Sequence, residues 1–595
     1  MKRYLILAVW GVAVLWTNYA GERQYLWPEG KMPDVDSTQV AVPITIQRQS
    51  DYNPDDWRKP YLEWHEAPAA ENKKDLCMIL ISGGAYQVWC DVAMLEGWRK
   101  DLTARGVQCV SLVYRTPRPK QGEIYRTAWE DGQRAVRLVR AEAAKRGFKR
   151  VGTMSMSAGS HLATLLATSS LTPAYTPIDA LDRTPCSIDF AVAFAIAYGV
   201  TDGLTGANVR RGQAGNAQLD DIFRFDAKTC PMCLLHGGAD CFSPMSSTRV
   251  YRKLREKGVP AEIHLYPDKE HNAWGYDRAV EFMTQMGYLG EVQPEVEVLS
   301  RYASDDARAS VERVALWPKG RTPEPQAGQG EPYLEWHTPK AVKTGAILLA
   351  YSGGGYNAND PENFEVAPVR RYLNEKGMTV VTLKYRTPRP PRSSGLAKHT
   401  SAWQDLQRAI RLVRTDAARR GLDPDRIGIM GSSAGGHLTL MGVTSSKLPA
   451  YGALDEIDKK TSCRANWAVA VYPAYVLTDG PDGWNTNGGN TASDRLVEDF
   501  TFDPSTCPTL FLHGDADGYA AMGSVKCWEQ MRRMGIQSEV HTLATRSHCF
   551  QRTASPGTGS YTWIDRIWEF LDAKKIISDY STSAGEPGDA TDLAK

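Results

Sequence analysis

Two serines sit in matching surroundings, Ser433 within GIMGSSAGGHL and Ser157 within GTMSMSAGSHL. Each falls where an apolar run gives way to a helical pattern. Around Ser433, Gly431 and Gly435 give the G-x-S-x-G spacing of a sharp strand-to-helix turn, which presents a hydroxyl at a helix N-terminus. In the earlier copy Ser155 takes the place of the first glycine. A hydroxyl on such a turn does acyl transfer when an imidazole removes its proton and a carboxylate orients the imidazole. The expected chain order is Ser, Asp, His.

Ten of the 11 histidines pair between the copies, so position must select the base. His161 and His437 follow their serines by four residues and point away from the hydroxyl. His264 and His541 lie inside strand patterns (EIHLYP, EVHTLA), as packing residues do. His236 and His513 end strands within HGGAD and HGDAD. His271 and His548 come after the last strand, in a loop at its carboxyl end, where a base can reach over the serine. Asp240 and Asp517 occupy loops at the same edge. Asp515 competes with Asp517, but the first copy has Gly238 at the matching position. The expected triads are Ser157, Asp240, His271 and Ser433, Asp517, His548. Oxyanion donors are expected from Gly84 and Ala85 in LISGGAYQ, from Gly354 and Gly355 in AYSGGGYN, and from Ala158 and Ala434 after the two serines.

The elements that carry these residues occur twice. PYLEWH, YRTPRP and a long segment beginning AWEDGQRAVRLVR or AWQDLQRAIRLVR recur, with an offset drifting from 270 to 277 residues across most of the core. That period is too long for a solenoid and long enough for a separate core in each copy. We expect a unit over 21–290, a linker over 291–309, a second unit over 310–575 and a polar tail over 576–595. Within each unit, apolar strand runs such as GAILLAYSGG and CPTLFLHGD alternate with amphipathic helices. This indicates an α/β fold with a doubly wound, mostly parallel sheet covered on both faces.

The chain has 595 residues, and its 42% hydrophobic and 23% charged content is ordinary for a globular protein. A net charge of +1 without a long basic stripe argues against nucleic acid and anionic membrane surfaces as partners. Lys2, Arg3, the run YLILAVWGVAVLW and Ala20 read as a signal peptide over 1–20. The expectation is a secreted or periplasmic protein without stable membrane insertion.

The run DPDRIGIMGSSAGGHL, the SGGGY loop and LLHGGADCFSPMSS with its continuation to HNAWG resemble the esterase branch of the α/β-hydrolase family. The resemblance is greatest to acetyl-xylan and feruloyl esterases of the prolyl-oligopeptidase and dienelactone-hydrolase group. It implies tandem α/β-hydrolase domains, hydrolysis of acyl esters through an acyl-serine, and acylated carbohydrate or another small ester as substrate. No metal or organic cofactor is required by that chemistry. Ser155, Ala85 and Ser160 depart from the family's usual glycines, as do Glu270 and Ser547 before the histidines. None of these deletes a reacting group, and both copies are expected to hydrolyse.

Cys186 and Cys230, like Cys463 and Cys507, each stand just before a strand pattern, and an exported chain could bridge them. Tyr86, Trp89, Trp274 and Trp484 are expected near the pocket mouths. They would also suit a glycan-binding protein with inactive pockets, and a serine peptidase of the same superfamily is a further alternative.

Overall fold

The computed structural model describes residues 22–34, 59–65, 68–89, 92–119, 121–201, 217–302, 304–478, 495–545 and 548–577. The expected signal segment, Trp484, Ser547 and nearly all of the tail lie outside them.

Among the described residues the first unit contributes eight strands to the main sheet: β1 Glu22–Tyr25, β2 Tyr61–Trp64, β3 Leu76–Ile81, β4 Gln108–Val113, β5 Arg150–Met156, β6 Phe190–Phe194, β7 Met232–Gly237 and β8 Ala261–Tyr266. The second repeats them as β9 Arg308–Ala315, β10 Tyr333–Pro339, β11 Ile347–Tyr351, β12 Thr379–Lys384, β13 Ile427–Ser432, β14 Trp467–Val471, β15 Thr509–Gly514 and β16 Glu539–Leu543. β1, β2 and β4 are antiparallel neighbours, and from β4 inward to β8 the strands are parallel. The second unit has the same order. Strands β3, β6, β7, β11, β14 and β15 are buried along their whole length, which explains their unbroken apolar sequences. Amphipathic α1 Arg126–Arg146 and α3 Thr400–Ala417 pack beside the helices that follow the two serines, α2 Ala158–Thr168 and α4 Ala434–Thr444.

The two sheets are one. β8 pairs antiparallel with β16 through His264↔His541 and Leu265↔Val540, so sixteen strands form a single sheet across the chain. Few backbone pairs hold this seam, and side chains on both faces reinforce it. Arg278 pairs with Glu569, and Arg566 pairs with Glu281. These are equivalent positions in the segments YDRAVEF and IDRIWEF, so residue i meets j and j meets i, as in an isologous dimer. Arg255 reaches Asp515 (2.9 Å), and its counterpart Arg532 donates to Gly238 O (3.1 Å). At the centre, His264 Nδ1 lies 2.9 Å from His541 Nδ1.

The stretch read as a linker carries structure. Val296–Glu297 pairs with Thr553–Ala554, and Val298 and Tyr302 are buried in the second unit's core. The two expected bridges do not form: Cys186, Cys230, Cys463 and Cys507 are separate buried thiols. Cys186 and Cys463 instead donate to Ser170 O and Ser446 O, each at 3.2 Å, which satisfies them locally. Among the described residues no helix is long and apolar enough to cross a membrane.

Candidate active sites

Strand β5 ends at Met156 and α2 begins at Ala158, leaving Ser157 alone to make the turn at φ 58°, ψ −121°. Ser433 does the same between β13 and α4 at φ 55°, ψ −120°. A non-glycine residue pays strain there and persists only where the surroundings dictate the conformation. They do: Ser157 N donates to Phe194 O and Ser433 N to Val471 O, both at 3.0 Å. Gly435 must lack a side chain because a Cβ there would stand 2.7 Å from Ser352 O.

All six residues expected to form triads come together. His271 Nε2 lies 2.9 Å from Ser157 Oγ, and its Nδ1 lies 2.9 and 2.8 Å from the two Asp240 oxygens. In the second unit His548 Nε2 lies 2.8 Å from Ser433 Oγ, and Nδ1 lies 2.9 and 2.8 Å from Asp517. The histidine side chains are about a quarter exposed, while both acids are buried. Burial alone would raise the carboxyl pKa values, but His236 and His271 beside it hold Asp240 well below the usual range. His513 and His548 likewise hold Asp517 down, to about 2. Backbone amides of Phe242 and Tyr519 fix the acids further, at 2.7 and 2.8 Å. Both carboxylates are therefore ionised, and each can hold its imidazole with Nδ1 protonated and Nε2 free to accept the serine proton.

Asp515, the rival acid, does not face the site. It accepts from Tyr251 Oη (3.0 Å) and Ala261 N (3.0 Å) across the seam.

The glycine-rich loops stand beside the elbows. Gly84 O accepts from Gln87 N and Val88 N, and Gly354 O from Asn357 N and Ala358 N, which folds each loop into a tight turn. Ala85 (φ 56°) adopts the same left-handed conformation as Gly355 (φ 62°), so that departure from glycine leaves the backbone path unchanged. Ala158 and Ala434 are first in their helices, where amides have no partner within the helix and can serve an oxyanion.

Other parts of the site were not foreseen. Tyr114 Oη donates to Ser82 O (3.1 Å), and Tyr385 Oη to Ser352 O (3.0 Å) and Gly353 O (2.8 Å), pegging both loops. Tyr86 Oη lies 2.9 Å from His161 Nδ1, and Tyr356 Oη lies 2.8 Å from His437 Nδ1, tying each loop to its elbow helix. Tyr86 and Trp89 are therefore buried struts and do not line a mouth. Trp89 donates to Leu112 O. Recurrence of YRTPRP and of a tyrosine after each glycine loop was the available signal. In the second unit a cavity of about 570 Å³ lined by Asn357, Arg389, Arg392 and Lys398 adjoins the loop.

The sheet order, the strained serine turn and the histidine–carboxylate pair at the strand ends define an α/β-hydrolase fold, present twice. The BD-FAE family model matches residues 66–254 and again 334–522, and the chain belongs to that family. The acetylxylan esterase of Xylanibacter ruminicola is 30% identical over 138 residues, 23% of this chain and 24% of that protein. The probable carboxylic ester hydrolase LipM of Mycobacterium tuberculosis is 28% identical over 279 residues, 43% of this chain and 60% of its own length. The chain thus spans between about a quarter and three fifths of these curated relatives. Among solved structures, an acetyl ester-xyloside bifunctional hydrolase from Caldicellulosiruptor lactoaceticus is 23% identical, with TM-score 0.35, over 45% of this chain and 97% of that one. Esterase 2 of Thermogutta terrifontis is 22% identical with TM-score 0.35, over 47% and 99%.

Proposed function

We propose that the chain is an exported serine esterase with two acyl-serine centres, acting on acyl groups, acetyl or feruloyl, carried by polysaccharide. The observation that supports this most is the repeated serine–imidazole–carboxylate contact at 2.8–2.9 Å. In each unit the serine Oγ attacks the ester carbonyl carbon while its proton passes to the histidine Nε2. The carbonyl oxygen becomes an oxyanion facing the amides of the glycine-rich loop and of Ala158 or Ala434. Collapse breaks the ester C–O bond, and the imidazolium proton goes to the departing sugar hydroxyl. Water, deprotonated by the same histidine, then attacks the acyl-serine. This releases the carboxylic acid and restores the hydroxyl. The name of the acetylxylan esterase relative supports a polysaccharide substrate, and the signal-like N-terminus supports export.

The test is release of acetate from acetylated xylan and of nitrophenol from a short nitrophenyl ester. Ser157→Ala and Ser433→Ala should each leave a remainder, and the double variant should lose activity by about a thousandfold or more. Hydrolysis unaffected in the double variant, or tight glycan binding with no turnover in the parent, would overturn the reading. Activity vanishing with Ser433→Ala alone would restrict it to the second unit.

A further inference from the structure

A second cluster of chemistry-bearing side chains lies behind the second site and takes no part in its triad. His399 immediately precedes α3, His437 lies one turn into the elbow helix α4, and Asp499 precedes the buried Phe500. His437 Nε2 is 3.3 Å from Asp499 Oδ2, and His399 Nδ1 is 3.7 Å from the same oxygen. The three ligand atoms all lie within 4.8 Å of one another. Both imidazoles are buried, at 7% and 0% exposure, and neither of these two nitrogens has a hydrogen-bond partner. A single weak contact between His437 and Asp499 would still leave His399 Nδ1 unsatisfied, so hydrogen bonding alone does not account for the cluster.

The ligand types suit a metal: two buried imidazoles face one oxygen of a carboxylate. Ligands bonded to a tetrahedral zinc at 2.0–2.1 Å stand roughly 3.3 Å apart, close to the 3.3 and 3.7 Å that separate the two nitrogens from Asp499 Oδ2. Tyr356 Oη, 2.8 Å from His437 Nδ1, can accept the other ring proton, as outer partners of metal-bound histidines do. The first unit keeps that tyrosine–histidine pair as Tyr86 and His161, but has Tyr125 and Ile222 where the second has His399 and Asp499.

We propose that His399 Nδ1, His437 Nε2 and Asp499 Oδ2 form a binding site for a divalent cation of the zinc class, in the second unit alone. Solvent completes the coordination. The bound ion would join the start of α3, the elbow helix and the Asp499 segment. It would compete for Asp499 with the Lys398 ammonium, which lies over the Tyr475 ring at 3.7 Å and shares electrostatic contact with that carboxylate.

The experiment uses the full chain, stripped with chelator, dialysed, and titrated with zinc chloride by calorimetry and by thermal unfolding. The comparison variant His399→Tyr with Asp499→Ile carries the residues that the first unit already accommodates. The parent should take up one zinc more per chain than the variant, and its zinc-induced rise in melting temperature should be lost in the variant. Cobalt(II) in the parent should give the visible absorption of a tetrahedral site, with that band absent from the variant. Equal zinc uptake and equal thermal response in both proteins would overturn the proposal, even if zinc binds elsewhere. So would a parent that takes up no zinc and gives no tetrahedral cobalt band. If the double variant does not fold, His399→Tyr alone serves as the comparison, with the same outcomes read.

Discussion

At the turn before Ser433, Gly431 packs against Tyr351, whose hydroxyl lies 2.8 Å from Thr439 Oγ1. At the turn before Ser157 the same place holds Ser155, and Tyr351 has become Ile81. A Cβ on Gly431 would meet Tyr351 Cε2 at 2.6 Å and Gly435 O at 2.4 Å. The first unit accommodates its serine beside the smaller neighbour and puts it to use. Ser155 Oγ donates to Val192 O (3.0 Å), Ser160 Oγ donates to Phe194 O (2.7 Å), and the two oxygens are 3.1 Å apart. The paired serines Ser155 and Ser160 replace the paired glycines Gly431 and Gly436 as a set. A departure from a motif thus has to be read together with the residues it touches, because the elbow needs its volume conserved more than it needs a particular residue type. The polar backing differs as well. Behind the second elbow, buried Tyr472 meets Glu365 and Gln551, and Glu365 accepts from Gly353 N at 2.6 Å. Ala195 stands in Tyr472's place in the first unit.

The sharpest way to break this comparison is Gly431→Ser in a Ser157→Ala background, where only the second centre remains. The crowding at 2.4–2.6 Å should displace the elbow and reduce ester hydrolysis by about a hundredfold. Adding Tyr351→Ile should recover part of it, by removing the 2.6 Å contact while the 2.4 Å approach to Gly435 O remains. Full activity of Gly431→Ser without Tyr351→Ile would show that the elbow tolerates serine unaided.

A smaller effect concerns the seam, which should treat the two units alike. Burial raises Glu262 and Glu539 to about 8, against about 4.3 in an unfolded chain. Between those values these two carboxyls hold protons in the folded protein that the unfolded chain releases, so their contribution to stability falls as pH rises from about 4.3 to 8 and levels off above. Burial holds His264 down to about 3 and His541 in the same direction, which acts with the opposite sign below about pH 6.5. The melting temperature should therefore decline by a few degrees between about pH 6.5 and 8, and Glu262→Gln and Glu539→Gln should each flatten that decline to a similar extent. A flat profile in the parent would remove this account of the seam.

The smallest expected effect is at Ser155. Ser155→Ala deletes one buried hydroxyl and its bond to Val192 O, at a cost of about 1 kcal/mol. Chemical denaturation should register the loss, while hydrolysis by the first centre in a Ser433→Ala background should stay within a factor of two. A large drop in that rate would mean that the serine pair positions the nucleophile, which would separate the two elbows more than their packing implies.

Much of the site was legible beforehand because its chemistry is ordered along the chain. The serine must lie between a strand and a helix, and the acid and base must follow at later strand ends, so Asp240, His271, Asp517 and His548 could be picked by place. The tyrosine struts were not legible. A buried Tyr86 and a pocket-lining Tyr86 have the same sequence neighbours, and only the distance to His161 separates them. The cysteine pairs failed for a related reason. Adjacent strand ends bring two thiols into one region, but whether two sulfurs meet depends on side-chain direction, and all four remain separate buried thiols.

By itself the sequence determined the duplication, the alternation of buried strands with helices, and the order along the chain of the candidate serine, acid and histidine. Those are properties of periodicity and of position along one chain. Tertiary structure alone decided that β8 meets β16 and joins two sheets into one. It also decided that Asp515 serves the seam while Asp517 serves the site, two residues apart on the same loop. Edge strands carry no mark of which edge they will meet, since backbone donors and acceptors are alike in every residue but proline. The choice rests on side chains such as Arg278 and Arg566, whose partners lie 291 and 285 residues away.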